Sequence, residues 1–215
     1  MRLSLSGPNP VWPRSRVCYN FSMSSALQRP DLMTLSEFLA WDAPGETRWQ
    51  LVDGEPIAMA PTSRTHGTLQ GELARLIGNH LVDGGNRCAA ITAPGIVPRV
   101  RANENFRIPD LAVTCTQYDT EEYDVSNPVL IVEILSPSNR ADTWRNVWVF
   151  TTIPSLREIL ILSSTSVRAE LLRRGSDGSW PAASTVIEDG DLVLDSIGLT
   201  LPLAEVYRTT RLARR

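Results

Sequence analysis

A short apolar segment, residues 129–135, constrains the fold of this chain more than any other feature. Its sequence, VLIVEIL, is rich in β-branched residues and is apolar at every position except Glu133. Runs of this length and composition are typical of strands buried on both faces, which lie in the middle of sheets covered by helices. A second pattern, with leucine or isoleucine at positions 69, 73, 76, 77 and 81, predicts an amphipathic helix over residues 65–81. Together they predict a single α/β (α+β) domain with a mixed central sheet flanked by helices.

Local signals place the other elements. Thr34 is a helix cap for a helix that ends at residue 41, and Asp53-Gly54 is a strong hairpin turn between strands 49–52 and 56–59. Gly84-Gly85 ends the long helix. Further strands are predicted at residues 88–92, 96–100, 111–115, 157–162 and 167–172, a second long helix at 140–151, a turn at 190–191 and a helical turn at 203–207.

Domain boundaries follow from proline and charge. Residues 1–30 contain four scattered prolines and no periodicity, which predicts a poorly ordered tail or an upstream start codon, with Met23 and Met33 as alternative starts. Residues 31–208 then form one domain, and the arginine-rich residues 209–215 are expected to be a solvated basic tail. No apolar run approaches the ~20 residues needed to span a bilayer. We therefore expect no membrane association.

Composition excludes several kinds of chemistry. All 21 basic residues are arginines, against 24 acidic residues. Without a lysine the chain has no Schiff-base nucleophile and no phosphate-loop lysine. The net charge of −3 does not favour indiscriminate nucleic-acid binding. The three cysteines are far apart, odd in number and without a CxxC pair, so they are expected to be reduced, in a cytoplasmic protein.

Two acidic residues stand where acids are costly. Alternation places Glu133 on the same strand face as Ile131 and Leu135, inside an apolar interior. Asp110 opens the strand at 111–115, directly after a proline. If these two strands are neighbours, the two carboxylates meet, and a divalent cation would neutralise both. The alternative is that a buried arginine, Arg107 or Arg157, pairs with the acid.

The order of these motifs resembles a known family. Residues 107–111 read RIPDL, and residues 132–138 read VEILSPS. Supporting matches are RWQLVDGE at 48–55, MAP at 59–61 and His66 at the start of the long helix. Over residues 34–172 the chain is similar to the putative restriction endonuclease family of the PD-(D/E)XK nuclease superfamily.

The resemblance implies a nuclease core in which Asp110 and Glu133 hold Mg²⁺ or Mn²⁺. In the superfamily a water molecule activated by the metal attacks a phosphodiester of DNA, and a lysine orients that water. In this family the lysine follows an aspartate by four residues on the next helix. Here the aspartate is Asp142 and the lysine position is Asn146. A second departure is Gln50, where the family tends to have a glutamate, so the chain is expected to be a slow or inactive enzyme.

Other residues are accessory candidates. His66 could face the acidic pair and contact a phosphate, although a core histidine is the commoner case. Arg107, Arg140 and Arg145 flank the pair in sequence and would suit a duplex DNA backbone. A homodimer is expected because many nuclease-like domains act as dimers. Two alternatives stay open: a catalytically degraded module that binds nucleic acid or a protein partner, and a structural or oligomeric protein without metal.

Overall fold

The structure, a computed structural model, describes residues 32–117, 119, 122–137 and 139–214. The predicted tail at residues 1–30 lies outside the described residues. The helices are α1 (Leu35–Ala40), α2 (Arg64–Asp83), α3 (Arg140–Phe150) and α4 (Leu203–Tyr207), with 3-10 turns at Ala102–Glu104 and Arg211–Arg214. The strands are β1 (Trp49–Val52), β2 (Glu55–Ala58), β3 (Ala89–Thr92), β4 (Leu111–Thr114), β5 (Pro128–Leu135), β6 (Glu158–Ser163), β7 (Ala169–Arg173), β8 (Thr185–Ile187), β9 (Asp191–Leu194) and β10 (Leu199–Pro202). None of the helices among these residues is long and apolar enough to cross a membrane.

Six strands form the central sheet, in the order β3-β4-β5-β6-β7-β8. Strands β5 and β6 are parallel, because α3 crosses over between them, and every other neighbouring pair is antiparallel. The mixed central sheet predicted from the sequence is therefore confirmed. Strands β1–β2 and β9–β10 form two separate hairpins.

The sheet is covered on both faces, as the apolar sequence of β5 indicates. On one face Leu69, Leu73 and Ile77 of α2 pack against the sheet, and the β9–β10 hairpin and α4 belong to the same cluster. On the other face Val147 and Phe150 of α3 pack against Ala112, Ile131 and Ile161. Glu133, which shares a strand face with Ile131, is therefore on the α3 side of the sheet.

One predicted strand does not form. Residues 96–100 make a single bridge, between Ile96 and Arg107, in place of a ladder. Pro94 and Pro98 bracket this stretch, and a proline cannot donate a ladder hydrogen bond. A separate bridge holds Phe106 beside β1, because Leu51 and Phe106 exchange backbone hydrogen bonds of 2.9 and 3.0 Å.

The prediction of reduced cysteines is wrong for two of the three. Cys88 and Cys115 form a disulfide. The cause is the antiparallel register of β3 and β4, in which Ala89 lies opposite Thr114, so the next residues outward face each other. Neither residue carries a local signal for this pairing.

The chain keeps contacts with the fold beyond residue 208, where the sequence predicts a C-terminal tail. Thr210 is buried, and Leu212 packs against the core that contains α2 and α4. Arg208 lies 3.4 Å from a carboxylate oxygen of Glu72 and 3.4 Å from one of Glu205. Arg208, directly before the predicted tail, is therefore used for contacts within the domain.

A buried glutamate fastens the C-terminal hairpin to the sheet. Glu158 of β6 is 1% exposed; its Oε1 accepts from Arg173 Nε at 2.8 Å and its Oε2 from Ser196 N at 2.8 Å. We expect Glu158→Gln to lower the free energy of unfolding by about 2–4 kcal/mol, because an amide nitrogen would face a donor and Arg173 would lose its ion pair with Glu158. Urea denaturation measures this. Glu188→Gln, which removes an exposed ion pair to Arg168, is the control and should cost under about 1 kcal/mol.

Candidate metal centre

The two predicted acids lie on neighbouring strands. Leu111 of β4 is opposite Val132 of β5 in an antiparallel pair. Asp110, one residue before Leu111, is therefore next to Glu133, one residue after Val132, at the start of β4. The backbone N–H of Ile134 donates to Asp110 Oδ2 at 2.6 Å. The Asp110 carboxylate is therefore held against the strand that carries Glu133.

Helix α2 supplies a second contact to Asp110. His66 Nε2 and Asp110 Oδ1 are 2.6 Å apart, and the histidine is buried in the first turn of α2, where Ser63 Oγ accepts from its backbone N–H. Gln70, one turn further along the helix, donates through Nε2 to the Asp110 carbonyl oxygen at 2.7 Å. The N-terminal turns of α2 thus fix both the backbone and the carboxylate of Asp110.

Glu133 is the least satisfied group of the site. It is 7% exposed, and its Oε1 is buried without a hydrogen-bond partner. Burial raises the pKa of Glu133 well above its usual range, the Asp110 carboxylate raises it further, and a hydrogen bond from the Asn146 side chain lowers it. An ionised carboxylate in such a position is costly unless a cation accompanies it.

Asn146, which the resemblance implies is at the lysine position of a nuclease site, lies between Glu133 and a buried arginine. Arg107 Nη1 donates to Asn146 Oδ1 at 2.8 Å, and the Asn146 side chain is near enough to Glu133 to lower the pKa of that carboxyl group. The rest of the guanidinium donates to Asn105 Oδ1, from Nε at 3.0 Å and from Nη2 at 2.7 Å. Asn105 is itself fully buried and also bonds Asp53.

The expectation that Arg107 contacts a DNA backbone does not agree with its position. Arg107 is 1% exposed, so a phosphate has no access to its guanidinium. Arg145, by contrast, is exposed on α3 and pairs with Asp142 at 3.0 Å. Burial is the main cause that lowers the pKa of the Arg107 guanidinium, and the Asp53 carboxylate raises it. Arg145 is close enough to Arg107 to lower this pKa further. Arg140 is exposed at the start of α3 and lines a small polar pocket with Arg168.

The alternative, in which a buried arginine pairs directly with Asp110 or Glu133, is wrong for the described residues. Within the described part of the chain, no arginine lies within ion-pair distance of Asp110 or Glu133. Arg107 reaches Glu133 only through the neutral amide of Asn146. The buried Oε1 of Gln50 has no hydrogen-bond partner either.

The donor set fits a hard divalent cation. It offers an unpartnered buried carboxylate oxygen on Glu133 beside Asp110, whose carboxylate oxygens retain further lone pairs. Across residues 32–117, 119, 122–137 and 139–214, no group of three or more His, Cys, Asp or Glu side chains is arranged to hold a metal ion. Mg²⁺ does not require one, since it is commonly held by one or two carboxylates with waters and substrate phosphates.

Sequence reasoning found the two acids, His66 and Asn146, and the structure brings all four together. Sequence reasoning missed Gln70 and Asn105. Gln70 lies one turn after His66 on the same helix, so the helical spacing could have indicated it. Asn105 had only its place two residues before Arg107 as a signal, and that place does not reveal a buried partner.

Comparisons with known proteins identify the family of this chain. The sequence profile of the Uma2 family, described as "Putative restriction endonuclease", matches residues 35–204. An uncharacterized protein of Synechocystis, slr1290, is 32% identical over 174 residues, which cover 80% of this chain and 90% of the relative. A second, sll1609, is 26% identical over 165 residues, which cover 75% of this chain and 92% of the relative.

A solved structure shares the fold. The crystal structure described as a putative nuclease belonging to DUF820, from Anabaena variabilis, superposes with a TM-score of 0.66 at 16% sequence identity, over 82% of this chain and 98% of the other. At this identity the likeness concerns the fold alone. The family match spans most of the chain, including both acids, Asn146 and the C-terminal hairpin. On this ground the chain belongs to the Uma2 family of putative restriction endonucleases.

Proposed function

We propose that this protein hydrolyses phosphodiester bonds of DNA with a divalent cation, Mg²⁺ or Mn²⁺, held by Asp110 and Glu133. The observation that carries the proposal is the buried, unpartnered Oε1 of Glu133 beside the Asp110 carboxylate. Two adjacent acids without an arginine partner are costly for a purely structural site. Membership in a family of putative restriction endonucleases supports the same conclusion.

The chain's own residues have separate roles in this proposal. Asp110 and Glu133 hold the cation, which when bound stabilises charge on the phosphate and lowers the pKa of a water molecule. His66 and the Ile134 N–H keep the Asp110 carboxylate in one orientation. Asn146 presents an amide N–H where the family has a lysine, so it supplies a hydrogen bond but no charge of its own. The reaction is expected to be slow for this reason.

Arg145 and Arg140 are the proposed contacts to the DNA backbone. Both are exposed on α3, the helix that also carries Asn146. An arginine that binds a phosphate releases counterions, so binding should weaken steeply as salt rises.

Incubation of supercoiled plasmid with the protein in Mn²⁺ or in EDTA tests the proposal. We expect slow nicking in Mn²⁺ and none in EDTA, with the nicking reduced at high salt. A gel shift of duplex DNA without cleavage in Mn²⁺ would favour the degraded binding module instead. Neither binding nor cleavage would favour the structural protein. Size-exclusion chromatography with light scattering tests the proposed homodimer.

A further inference from the structure

The family's lysine position is neutral in this chain, yet a positive charge lies one hydrogen bond away. Arg107 is 1% exposed and donates to Asn146 Oδ1 at 2.8 Å. Among the described residues it has no carboxylate in ion-pair contact, although Asp53 is near enough to raise the pKa of its guanidinium. A buried cation without a direct counter-ion is costly, which indicates that its position serves something other than stability.

The geometry fixes the orientation of the Asn146 side chain. An amide group can rotate to exchange its oxygen and nitrogen, but a guanidinium only donates, so it accepts only the orientation with the oxygen toward Arg107. The amide nitrogen must then point away from Arg107, and the carboxyl group on that side is Glu133. Asn105, whose Oδ1 accepts from Nε and Nη2, prevents the guanidinium from turning.

We infer that Arg107 is a positioning residue that acts on the proposed metal centre through Asn146, in place of the missing lysine. The guanidinium holds and polarises the amide, and the Asn146 N–H then orients the Glu133 carboxylate and carries part of the positive character that a lysine would provide. This inference rests on the proposed metal site, but it concerns binding of the cation and so does not require that the protein cleaves DNA.

The inference predicts a specific coupling between two residues. If Arg107 acts only through Asn146, removing Arg107 has no further effect once Asn146 is gone. Arg107→Gln and Asn146→Ala should each weaken Mn²⁺ binding by about tenfold, as loss of an outer partner of a metal ligand commonly does. The double variant should bind Mn²⁺ as weakly as Asn146→Ala alone, rather than about a hundredfold more weakly than wild type.

Isothermal titration of Mn²⁺ into the wild-type protein and the three variants measures this cycle. Arg174→Gln is the matched control, because Arg174, like Arg107, donates to neutral amide oxygens, but these are the backbone carbonyls of Gly178 and Pro154 in the loops after β7 and α3. It should bind Mn²⁺ as wild type does. Losses that multiply in the double variant, or an unchanged affinity in Arg107→Gln, would overturn the inference.

A failure to fold is checked by thermal unfolding of each variant. If Arg107→Gln shows no cooperative transition, Arg107→Lys replaces it in the cycle, since lysine keeps the charge but lacks the planar fork. A loss of affinity in Arg107→Lys that disappears in the Asn146→Ala background supports the inference. A loss that persists there, or no loss, contradicts it. Wild type that binds Mn²⁺ in this assay but never nicks plasmid would contradict the proposed function alone.

Discussion

Replacing Asp110 with asparagine should abolish cleavage, with a fall in the Mn²⁺-dependent nicking rate of about 10³-fold or more. Asparagine has nearly the same shape, and its amide oxygen can still accept from the Ile134 N–H, which is 2.6 Å from Asp110 Oδ2. The substitution therefore removes a negative charge from the proposed metal centre while it preserves the local packing. The measurement is the conversion of supercoiled plasmid to the nicked form over time, at equal protein purity.

The control for this experiment is Asp195→Asn. Asp195 is an exposed residue at the end of the β9–β10 hairpin that pairs with Arg173 at 3.1 Å, far along the chain from both acids. Its nicking rate should equal that of the wild type. Equal nicking by wild type and Asp110→Asn would mean that a contaminating nuclease produces the signal, and the catalytic assignment of Asp110 would fail.

The second large effect is on stability, and the substitution is expected to stabilise the protein rather than destabilise it. Glu133→Gln should raise the free energy of unfolding of the metal-free protein at neutral pH by about 1–3 kcal/mol. In the folded state the pKa of Glu133 is raised by burial and by Asp110, so the folded protein keeps a proton that the unfolded chain has released. Stability is therefore lost as pH rises above the ordinary glutamate pKa of about 4.5, until Glu133 ionises in the folded state. Glutamine cannot ionise and avoids this loss.

Denaturation of both proteins in EDTA at pH 4.5 and pH 8 tests this prediction. The stability difference should be small at the lower pH and larger at the higher one. The same substitution at Glu158, which is buried but fully hydrogen-bonded, should have the opposite sign. A destabilised Glu133→Gln at pH 8 would show that Glu133 has a structural partner and would argue against a metal ligand. The gain in stability should come with loss of Mn²⁺ binding, as expected where a site keeps a costly charge for function.

Local sequence signals predicted most elements of the fold. The Thr34 cap, the Asp53-Gly54 turn and the periodicity of α2 each act within a few residues, and all three elements form where the sequence places them. The β9–β10 hairpin was not predicted as strands, although Leu192, Leu194, Leu199 and Leu201 alternate as a half-buried hairpin requires. Its strands are only four residues long, and the Gly190-Asp191 turn signal dominated that stretch.

Two of the errors, on the cysteines and on Arg107, came from contacts between distant parts of the chain. The disulfide joins residues 27 apart, and its partners meet only because β3 and β4 pair in one particular register. The burial of Arg107 has the same origin: its guanidinium bonds Asn146, 39 residues away. Sequence alone left open whether Arg107 is buried beside the acids or faces a DNA backbone.

The candidate site was more predictable than these contacts. An acid in the middle of an apolar strand and an acid at the start of its neighbour have few arrangements in which both are satisfied, and a shared cation is one of them. The contacts that orient Asp110, from His66 and Gln70, depend on where α2 begins relative to the sheet. Periodicity gives the face of a helix but not that relation.

Calorimetric titration of Mn²⁺ into the wild-type protein and into Asp110→Asn tests the central claim most directly, because it requires neither the right DNA sequence nor a fast enzyme. We predict one Mn²⁺ site per chain in the wild type and no measurable binding in Asp110→Asn at the same concentrations. No binding to the wild type, or equal binding to both proteins, would contradict the assignment of Asp110 and Glu133 as the metal centre.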